Sequence, residues 1–320
     1  MSRRSWSRDA VIYQLYVRSF ADSDGDGTGD LLGVTSRLDY LTDLGVDALW
    51  LTPFYRSPMA DGGYDVADYR DVDPRFGTLA DFDKLLMEAH ARGLRVIIDV
   101  VPNHCSDQHV WFQAALTAAP GSPERQRFHF RLGRGEAGER PPNDWQSIFR
   151  GPAWTRLPDG DWYLHLFAPE QPDLNWDHPE VRAEFANVLR FWLDRGVDGI
   201  RIDVAHGLVK APGLPDVGHQ GTTLLVGDET PFFDQDGVHE IYREWRSILD
   251  SYEPERIAVA EAWLPNVYRT ARYVRPDELH QAFNFEFLGA PWSAGAYRRV
   301  VDSSLEVMGS VGAPTTWACT

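Results

Sequence analysis

Cysteine is scarce in this sequence of 320 residues, since Cys105 and Cys319 are its two cysteines. Two cysteines cannot form the disulfide framework that holds many small secreted domains together. Long apolar runs are also missing, and no window reaches the about eighteen apolar residues of an ordinary membrane-spanning helix. Residues 1–10 are basic, but no apolar segment of a signal peptide follows them. These absences predict a cytoplasmic protein without a membrane partner.

Positive charge is in short supply as well. Lysine and arginine number 31 against 48 aspartate and glutamate residues, which gives a net charge of −17. Such a surface repels a phosphate backbone, so we expect no nucleic-acid partner. No nucleotide-binding fingerprint occurs, and we therefore predict no organic cofactor. Aromatic residues, in contrast, are abundant, with 12 Trp, 12 Tyr and 16 Phe. They suit either a core or a cleft that stacks on sugar rings, and composition leaves both possibilities open.

Short β-branched runs alternate with helical periodicity along the chain, which is typical of repeated βα units and a parallel sheet. The seven strands that we predict are residues 11–17, 48–51, 96–101, 199–204, 257–260, 280–285 and 315–317. Between them, helical spacing and caps predict helices over 31–44, from Thr78 to Gly93, and over 181–195 and 239–251. The fold class is therefore α/β. A (β/α)₈ TIM barrel that is incomplete and ends near strand 7 fits better than an open sheet.

One long segment interrupts this alternation. Residues 105–176 are rich in Pro, Gly, Arg and Trp and have little periodicity. We predict that they form a small insertion subdomain after strand 3, within a barrel built from 1–104 and 177–320. Connections of this length are usually functional, and this one leaves the end of the barrel where active sites are built.

Three carboxylates lie at or near the ends of predicted strands, namely Asp99, Asp203 and Glu261. A single acid in such a place is often a loop cap, but three that converge on one barrel mouth favour a functional site. Two carboxyl groups suit glycoside hydrolysis, in which one attacks the anomeric carbon and the other protonates the leaving oxygen. Arg201 shares a strand face with Asp203, and we expect its charge to keep Asp203 ionised at neutral pH.

Four segments carry a resemblance to a known family. The string from Asp99 to His104, DVVPNH, resembles the first signature of the α-amylase superfamily, glycoside hydrolase family 13. The segments Gly199–His206 and Glu261–Trp263 resemble the second and third signatures. The segment Gln171–Trp176, QPDLNW, is similar to the signature of the oligo-1,6-glucosidase and α-glucosidase branch.

The resemblance implies a role for each matching position. Asp203 would be the nucleophile and Glu261 the general acid/base of a hydrolase that retains anomeric configuration. The substrate-binding residues that it implies are Asp61, Tyr64, His104, Phe149, Phe167, Gln171 and Arg201. Phe149, Phe167 and Gln171 would narrow the pocket, or they could be core of the insertion.

The acidic segment 22–30, DSDGDGTGD, places oxygen ligands at alternate positions. It is not an EF-hand, because Gly33 stands where the bidentate glutamate would be and a strand precedes the loop. It is similar to the calcium-binding first loop of oligo-1,6-glucosidases. The ligands that this resemblance implies for a structural Ca²⁺ are Asp22, Asp24, Asp26, the Thr28 carbonyl and Asp30. The alternative is a solvated run of Asx turns.

The family's fourth signature, which ends in a third essential carboxylate, is expected after Thr315–Trp317. The sequence instead reads Ala318-Cys319-Thr320. We therefore expect a chain truncated at the C-terminus, with little or no glucosidase activity of its own.

The function implied is a retaining α-glucosidase-type hydrolase of short α-1,4/α-1,6 glucosides, the maltose and isomaltose class, so the expected partner is a small oligosaccharide. Alternatives are a trehalose synthase or transglucosidase of the same family, and a non-catalytic amylase-like module. The sequence gives no indication of the oligomeric state.

Overall fold

The structure is a computed structural model that describes residues 5–218 and 230–319. Its strands are β1 (Ile12–Leu15), β2 (Ala48–Leu51), β3 (Tyr55–Arg56), β4 (Asp68–Val72), β5 (Arg95–Val100), β6 (Phe130–Leu132), β7 (Trp154–Arg156), β8 (Asp161–Leu164), β9 (Gly199–Ile202), β10 (Ile257–Ala260), β11 (Gln281–Asn284) and β12 (Thr316–Trp317). Its helices are α1 (Val17–Phe20), α2 (Leu31–Ser36), α3 (Leu38–Leu44), α4 (Leu79–Ala91), α5 (Val110–Thr117), α6 (Pro123–Gln126), α7 (Pro179–Asp194), α8 (Val238–Leu249), α9 (Val267–Tyr273), α10 (Phe285–Leu288) and α11 (Ala294–Ser310).

Seven strands form one parallel sheet in the order β1-β2-β5-β9-β10-β11-β12. Neighbours in the sheet follow one another along the chain once the strands β3, β4, β6, β7 and β8 are set aside. This order is that of a (β/α) barrel, and it confirms the predicted α/β class and the incomplete TIM barrel. Within 5–218 and 230–319, β1 and β12 are the two edges of the sheet. No helix in these ranges is both long enough and apolar enough to cross a membrane.

Local sequence explains the elements that carry the sheet. Strand β5 is buried along nearly its whole length, as its β-branched composition predicts. Helix α4 begins at a capping box in which Thr78 and Asp81 bond each other's backbone N–H. The helix predicted over 31–44 is instead two helices, α2 and α3. Near the break, the hydroxyl groups of Thr35 and Ser36 donate to main-chain carbonyls of the preceding turn, at 2.7 Å each, and thereby compete with the helical hydrogen bonds.

The N-terminal ends of the central strands are held by one buried carboxylate. Oδ1 of Asp198 accepts hydrogen bonds from Arg95 at 2.9 Å and from Arg256 at 3.1 Å. Oδ2 accepts from the Val96 backbone at 2.9 Å and lies 2.7 Å from Nε2 of His90. Asp198 therefore links α4, β5, β9 and β10 at the end of the sheet opposite to Asp203 and Glu261.

Between β5 and β9 the chain builds a second small sheet. Strands β6, β8 and β7 are antiparallel and lie in that order, within the predicted insertion 105–176. A separate apolar cluster joins this region to the turn after β9, and it includes Trp145, Trp154, Phe167, Val204 and Phe233. The insertion is thus packed against the residue that follows Asp203.

Candidate active site

Four charged side chains meet where β5, β9 and β10 end. Nη1 of Arg201 donates to Oδ1 of Asp99 and to Oδ1 of Asp203, each at 2.6 Å. Nη2 of Arg201 lies 3.5 Å from Oε2 of Glu261. All four are buried, and Glu261, the most exposed, retains 8% of its accessible surface. One guanidinium group therefore joins three carboxyl groups, including the two predicted catalytic residues.

Burial and the charge of Arg201 act in opposite directions on the acids of this cluster. Burial raises the pKa of Asp203 to about 8, although the charge and hydrogen bond of Arg201 act in the opposite direction. Burial also raises the pKa of Asp99, again against the attraction of Arg201. The charge of Arg201 thus favours the ionised form of Asp203, and that it keeps Asp203 ionised at neutral pH stays a prediction. One cation is shared among three buried acids, and the negative charges of Glu261 and Asp99 raise the pKa of Asp203 in addition to its burial.

The turn that follows β9 controls the surroundings of Glu261. Val204 has a φ of +44°, in the left-handed region that β-branched residues rarely adopt. Its peptide N–H donates to Oε2 of Glu261 at 2.8 Å. Oε1 of Glu261 accepts from the indole N–H of Trp263 at 2.5 Å. Both oxygens of this carboxylate therefore have a hydrogen-bond donor.

The residues predicted to bind substrate form a connected group beside these carboxylates. Nε2 of Gln171 lies 2.9 Å from Oδ2 of Asp61 and 3.1 Å from Nε2 of His104. The ring of Phe167 lies 4.9 Å from the His104 ring, and Phe149 lies 5.8 Å from Phe167. The structure thus brings five of the predicted residues together. Phe167 is buried in the insertion core and also contacts His104, whereas Phe149 is 52% exposed.

Tyr64, another of the predicted substrate-binding residues, contacts Asp99 of the charged cluster. Its hydroxyl donates to Oδ2 of Asp99 at 3.3 Å, and its ring centre lies 5.9 Å from the Arg201 guanidinium carbon. Trp50 donates to the same Asp99 oxygen at 2.9 Å, and Arg201 lies over the Trp50 ring at 5.1 Å. Aromatic rings and hydrogen-bond donors therefore surround the charged cluster.

Burial sets the protonation of the polar residues in this group. It lowers the pKa of His104 to about 4, so the imidazole is neutral at pH 7. It raises the pKa of Asp61, while the hydrogen bond from Gln171 acts in the opposite direction. A neutral ring and amide groups suit the hydroxyl groups of a neutral sugar.

Asn103, which like His104 lies just past the third predicted strand, contacts two residues, Lys210 and Asp173, that were not singled out from the sequence as site residues. Nζ of Lys210 lies 2.8 Å from Oδ2 of Asp173 and donates to Oδ1 of Asn103 at 2.8 Å. Nδ2 of Asn103 in turn lies 3.1 Å from Nδ1 of His104 and donates to Asp173 at 3.1 Å. A signal was available, because Lys210 and Lys84 are the chain's two lysines and Asp173 lies within the motif QPDLNW.

The acidic loop brings together some of its predicted ligands. Oxygen atoms of Asp22, Asp24 and Asp30 all lie within 4.8 Å of one another. Asp26 is outside this set, and its Oδ1 accepts the Thr28 peptide N–H at 2.7 Å. Asp30 also caps α2 through a 2.6 Å hydrogen bond from the Gly33 N–H. The loop thus supplies three convergent carboxylates, which are ligands that Ca²⁺ prefers.

Comparison with known proteins decides the family. The family model described as "Alpha amylase, catalytic domain" matches residues 14–306 of this chain. This chain belongs to the alpha-amylase family. The matched range of the alpha-amylase domain includes all four segments that carry the resemblance, together with Asp203 and Glu261.

Individual members of the alpha-amylase family are similar over most of the chain. It is 46% identical over 295 residues to the trehalose-6-phosphate hydrolase of Escherichia coli K12, and the matched region covers 91% of this chain and 51% of that protein. It is 41% identical over 289 residues to the oligo-1,6-glucosidase of Parageobacillus thermoglucosidasius, covering 89% and 50%. The crystal structure of the alpha-glucosyl transfer enzyme XgtA matches with a TM-score of 0.90 and 40% identity, covering 99% of this chain and 61% of that one. The chain spans about half the length of the curated relatives it matches.

Proposed function

We propose that this chain carries the nucleophile and the general acid/base of a retaining α-glucosidase-type hydrolase. Its substrates would be short α-1,4 and α-1,6 glucosides of the maltose and isomaltose class. The observation that carries the proposal is the contact of Asp203 and Glu261 with one buried guanidinium group, that of Arg201. Retaining glycoside hydrolysis uses two carboxyl groups in one pocket, one as the nucleophile and the other as the general acid/base.

The reaction would proceed in two balanced steps. In the first, the ionised form of Asp203 forms a bond to the anomeric carbon while the glycosidic C–O bond breaks, and Glu261 gives its proton to the leaving oxygen. In the second, Glu261 takes a proton from water, whose oxygen replaces Asp203 at the anomeric carbon. Positive charge develops on the sugar in both transition states. Three carboxyl groups around the single cation of Arg201 would stabilise that charge.

Sugar binding would use the neighbouring polar group. Gln171 contacts both Asp61 and His104, and the three side chains would exchange these contacts for sugar hydroxyls. Arg201 and Lys210 are each paired with buried carboxylates. A third cation, Arg18, lies beside Gly62, between Asp61 and Tyr64. Turnover of maltose and isomaltose, compared with that of the phosphorylated sugar named for the E. coli relative, tests the proposed substrate class.

The decisive experiment traps the covalent intermediate and does not depend on fast turnover. The chain is incubated with 5-fluoro-α-D-glucosyl fluoride and examined by intact-protein and peptide mass spectrometry. We expect one fluoroglucosyl group on Asp203 and none in Asp203→Asn. Glu261→Gln should still become labelled, because fluoride needs no protonation to leave, while its turnover of maltose is lost. Low turnover by this chain stays a prediction, and the trap tests the chemistry separately.

A surface variant provides the control. Asp302 is exposed on α11, and Asp302→Asn should label like the parent. A parent chain that forms no adduct, or an adduct at a residue other than Asp203, would contradict the proposal. Absence of any adduct would instead support the non-catalytic alternative.

Transfer of the glucosyl group to a sugar is the second candidate function. It is favoured by the similarity to the alpha-glucosyl transfer enzyme XgtA, at 40% identity. The same glucosyl–Asp203 intermediate would serve both reactions, with a sugar hydroxyl replacing water in the second step. Product analysis with maltose separates them, because hydrolysis gives glucose alone, whereas transfer gives panose and isomerisation gives trehalose.

We also propose a structural Ca²⁺ in the loop after α1. The donors fit a hard cation, since Asp22, Asp24 and Asp30 present three convergent carboxylates. Hydrogen bonds from Gly27 and Gly25 to Asp22 lower its pKa, and its carboxylate is therefore ionised in the absence of metal. These residues would hold the ion, which would stabilise the loop and take no part in the reaction.

A further inference from the structure

The Glu261 carboxylate is held by donors that come from two different strand ends. One is the Val204 peptide N–H, which follows β9 and lies 2.8 Å from Oε2. The other is the Trp263 indole N–H, which follows β10 and lies 2.5 Å from Oε1. The Trp263 ring is fixed in turn by stacking on Phe285, with centres 3.7 Å apart and planes 1° from parallel. Each oxygen of Glu261 therefore has its own fixed donor.

The Val204 donor is presented by a backbone conformation that valine disfavours. Its φ of +44° lies in the left-handed region, which glycine adopts readily and a β-branched residue rarely does. The surrounding structure imposes it. The Val204 side chain is buried in the insertion core, and its carbonyl accepts the Gly207 N–H at 2.8 Å. Strain of this kind is typically retained at functional positions.

Gly207 makes the tight turn possible. A Cβ atom at this position would lie 2.7 Å from Cγ1 of Val204 and 2.8 Å from Oδ1 of Asn103. The two ends of the turn are also tied to the sheet, because Asp203 N–H donates to the Val100 carbonyl and Ala205 N–H to the Glu261 carbonyl, at 2.9 and 2.8 Å. The direction of the Val204 N–H is therefore fixed by both neighbouring strands.

We propose that Val204, through its peptide N–H, and Trp263, through its indole N–H, are positioning residues that hold the Glu261 carboxylate in one orientation beside Asp203. The inference rests on the proposed role of Glu261. The same strand end thus supplies both the nucleophile, Asp203, and a donor to its partner.

The test observes the Glu261 carboxyl group directly. The chain is prepared with ¹³C-carboxyl glutamate, and the Glu261 signal is assigned by its loss in Glu261→Gln. A backbone ester at position 204, with 2-hydroxyisovalerate in place of valine, removes the N–H and keeps the side chain. We expect the chemical shift of the Glu261 carboxyl carbon to change, because one of the two hydrogen bonds to the carboxylate is gone. Trp263→Phe, which keeps a flat ring against Phe285, removes the other hydrogen bond and should also change it.

A matched control separates positioning from general damage to the turn. An ester at position 205, with lactate in place of alanine, removes the adjacent N–H, which reaches the Glu261 carbonyl and not its carboxylate. Its Glu261 carboxyl signal should stay at the parental position. Equal changes of this signal in the 204 and 205 esters, or no change in the 204 ester, would overturn the proposal. If the 204 ester does not fold, an unchanged Glu261 signal in Trp263→Phe overturns it.

This measurement needs no turnover, so it can fail separately from the proposed function. A chain whose variants show the expected changes of the Glu261 signal, but which forms no glucosyl adduct, would refute the function and leave the two contacts intact. A chain that forms the adduct on Asp203, while both donor variants keep the parental Glu261 signal, would refute the positioning role alone.

Discussion

Arg201 and Asp203 lie two residues apart at the end of β9, and Nη1 of Arg201 is 2.6 Å from Oδ1 of Asp203. The alternation of a strand places both side chains on one face, which makes this contact predictable from sequence. The same Nη1 is also 2.6 Å from Oδ1 of Asp99, on the neighbouring strand. The charge of Arg201 is therefore divided, and the protonation of Asp203 follows from burial more than from its nearest cation.

The raised pKa of Asp203 predicts an unusual pH dependence of stability. Asp203 has a pKa of about 8 in the folded chain against 3.8 for the ordinary carboxyl, so between these values the folded state binds more protons than the unfolded state. Its contribution is fully present below about pH 4 and is lost as the pH rises towards 8. The free energy of unfolding of the parent should therefore decline between pH 5 and pH 8. We expect this decline to be about 1–3 kcal/mol smaller in Asp203→Asn, measured by urea titration. Asp302→Asn should keep the parental slope, and an Asp203→Asn slope equal to the parent's would contradict the assignment.

A second prediction concerns the buried cation beneath His104. Lys210 is 1% and Asp173 0% exposed at the side chain, and burial lowers the pKa of Lys210. Lys210→Met would leave the buried Asp173 carboxylate without its cation. We expect a loss of about 3–5 kcal/mol in the free energy of unfolding, measured by denaturant titration at pH 7.

The chain contains a natural control for this variant. Lys84, the other lysine, is exposed on α4, and Lys84→Met should change stability by less than about 0.5 kcal/mol. Adding Asp173→Asn to Lys210→Met should recover part of the loss, because the uncompensated charge is then gone. A double variant that is less stable than Lys210→Met alone would show that the pair is not coupled in this way.

The sequence predicted the barrel well because each parallel strand is a short apolar run with a polar residue at its end. Strands β5, β9 and β10 are all within one or two residues of their predicted limits. The predicted helix over 31–44 was wrong as one unit, since hydroxyl side chains near its middle bind carbonyls of the preceding turn. Periodicity reports the buried face of a helix but not a local break in it.

Within the site, residue types at strand ends could be predicted, but shared partners could not. The contact of Asp61 with Gln171 joins positions 110 residues apart, and only the packed insertion brings them together. Nor does any sequence pattern reveal the positive φ of Val204, because glycine, and not valine, is the residue that marks such a turn. The cytoplasmic location inferred from composition stays a prediction.

The carboxylate that joins the other end of the strands yields a third prediction. Asp198 is buried, and although burial alone would raise its pKa, hydrogen bonds from His90, the Val96 N–H and Arg95 lower it overall. A lowered pKa gives stability that is present above the unfolded pKa of 3.8 and lost as the pH falls through the folded value. We expect Asp198→Asn to cost about 3–5 kcal/mol at pH 7 and less below pH 4, measured by urea titration.

The comparison for Asp198 is an ion pair on the surface. Asp83 binds Arg195 at 2.7 Å, but its side chain is 51% exposed. Solvent screens such a pair, so Asp83→Asn should cost less than about 1 kcal/mol at pH 7. Equal losses for Asp83→Asn and Asp198→Asn would show that Asp198 does not link the strands as its contacts indicate.

The proposed Ca²⁺ loop gives a fourth prediction, which depends on charge and not on loop shape. Oδ1 of Asp24 accepts the Asp26 peptide N–H at 3.1 Å, a bond that the Asn side-chain oxygen can also accept. Asp24→Asn should therefore keep the turn and remove one negative ligand. We expect Ca²⁺ to raise the unfolding temperature of the parent by a few degrees and to saturate, with a much weaker effect in Asp24→Asn, measured by calorimetry after chelation. Asp43→Asn, at an exposed position of α3, should respond like the parent, and a parent that does not respond to Ca²⁺ leaves the loop as a run of Asx turns.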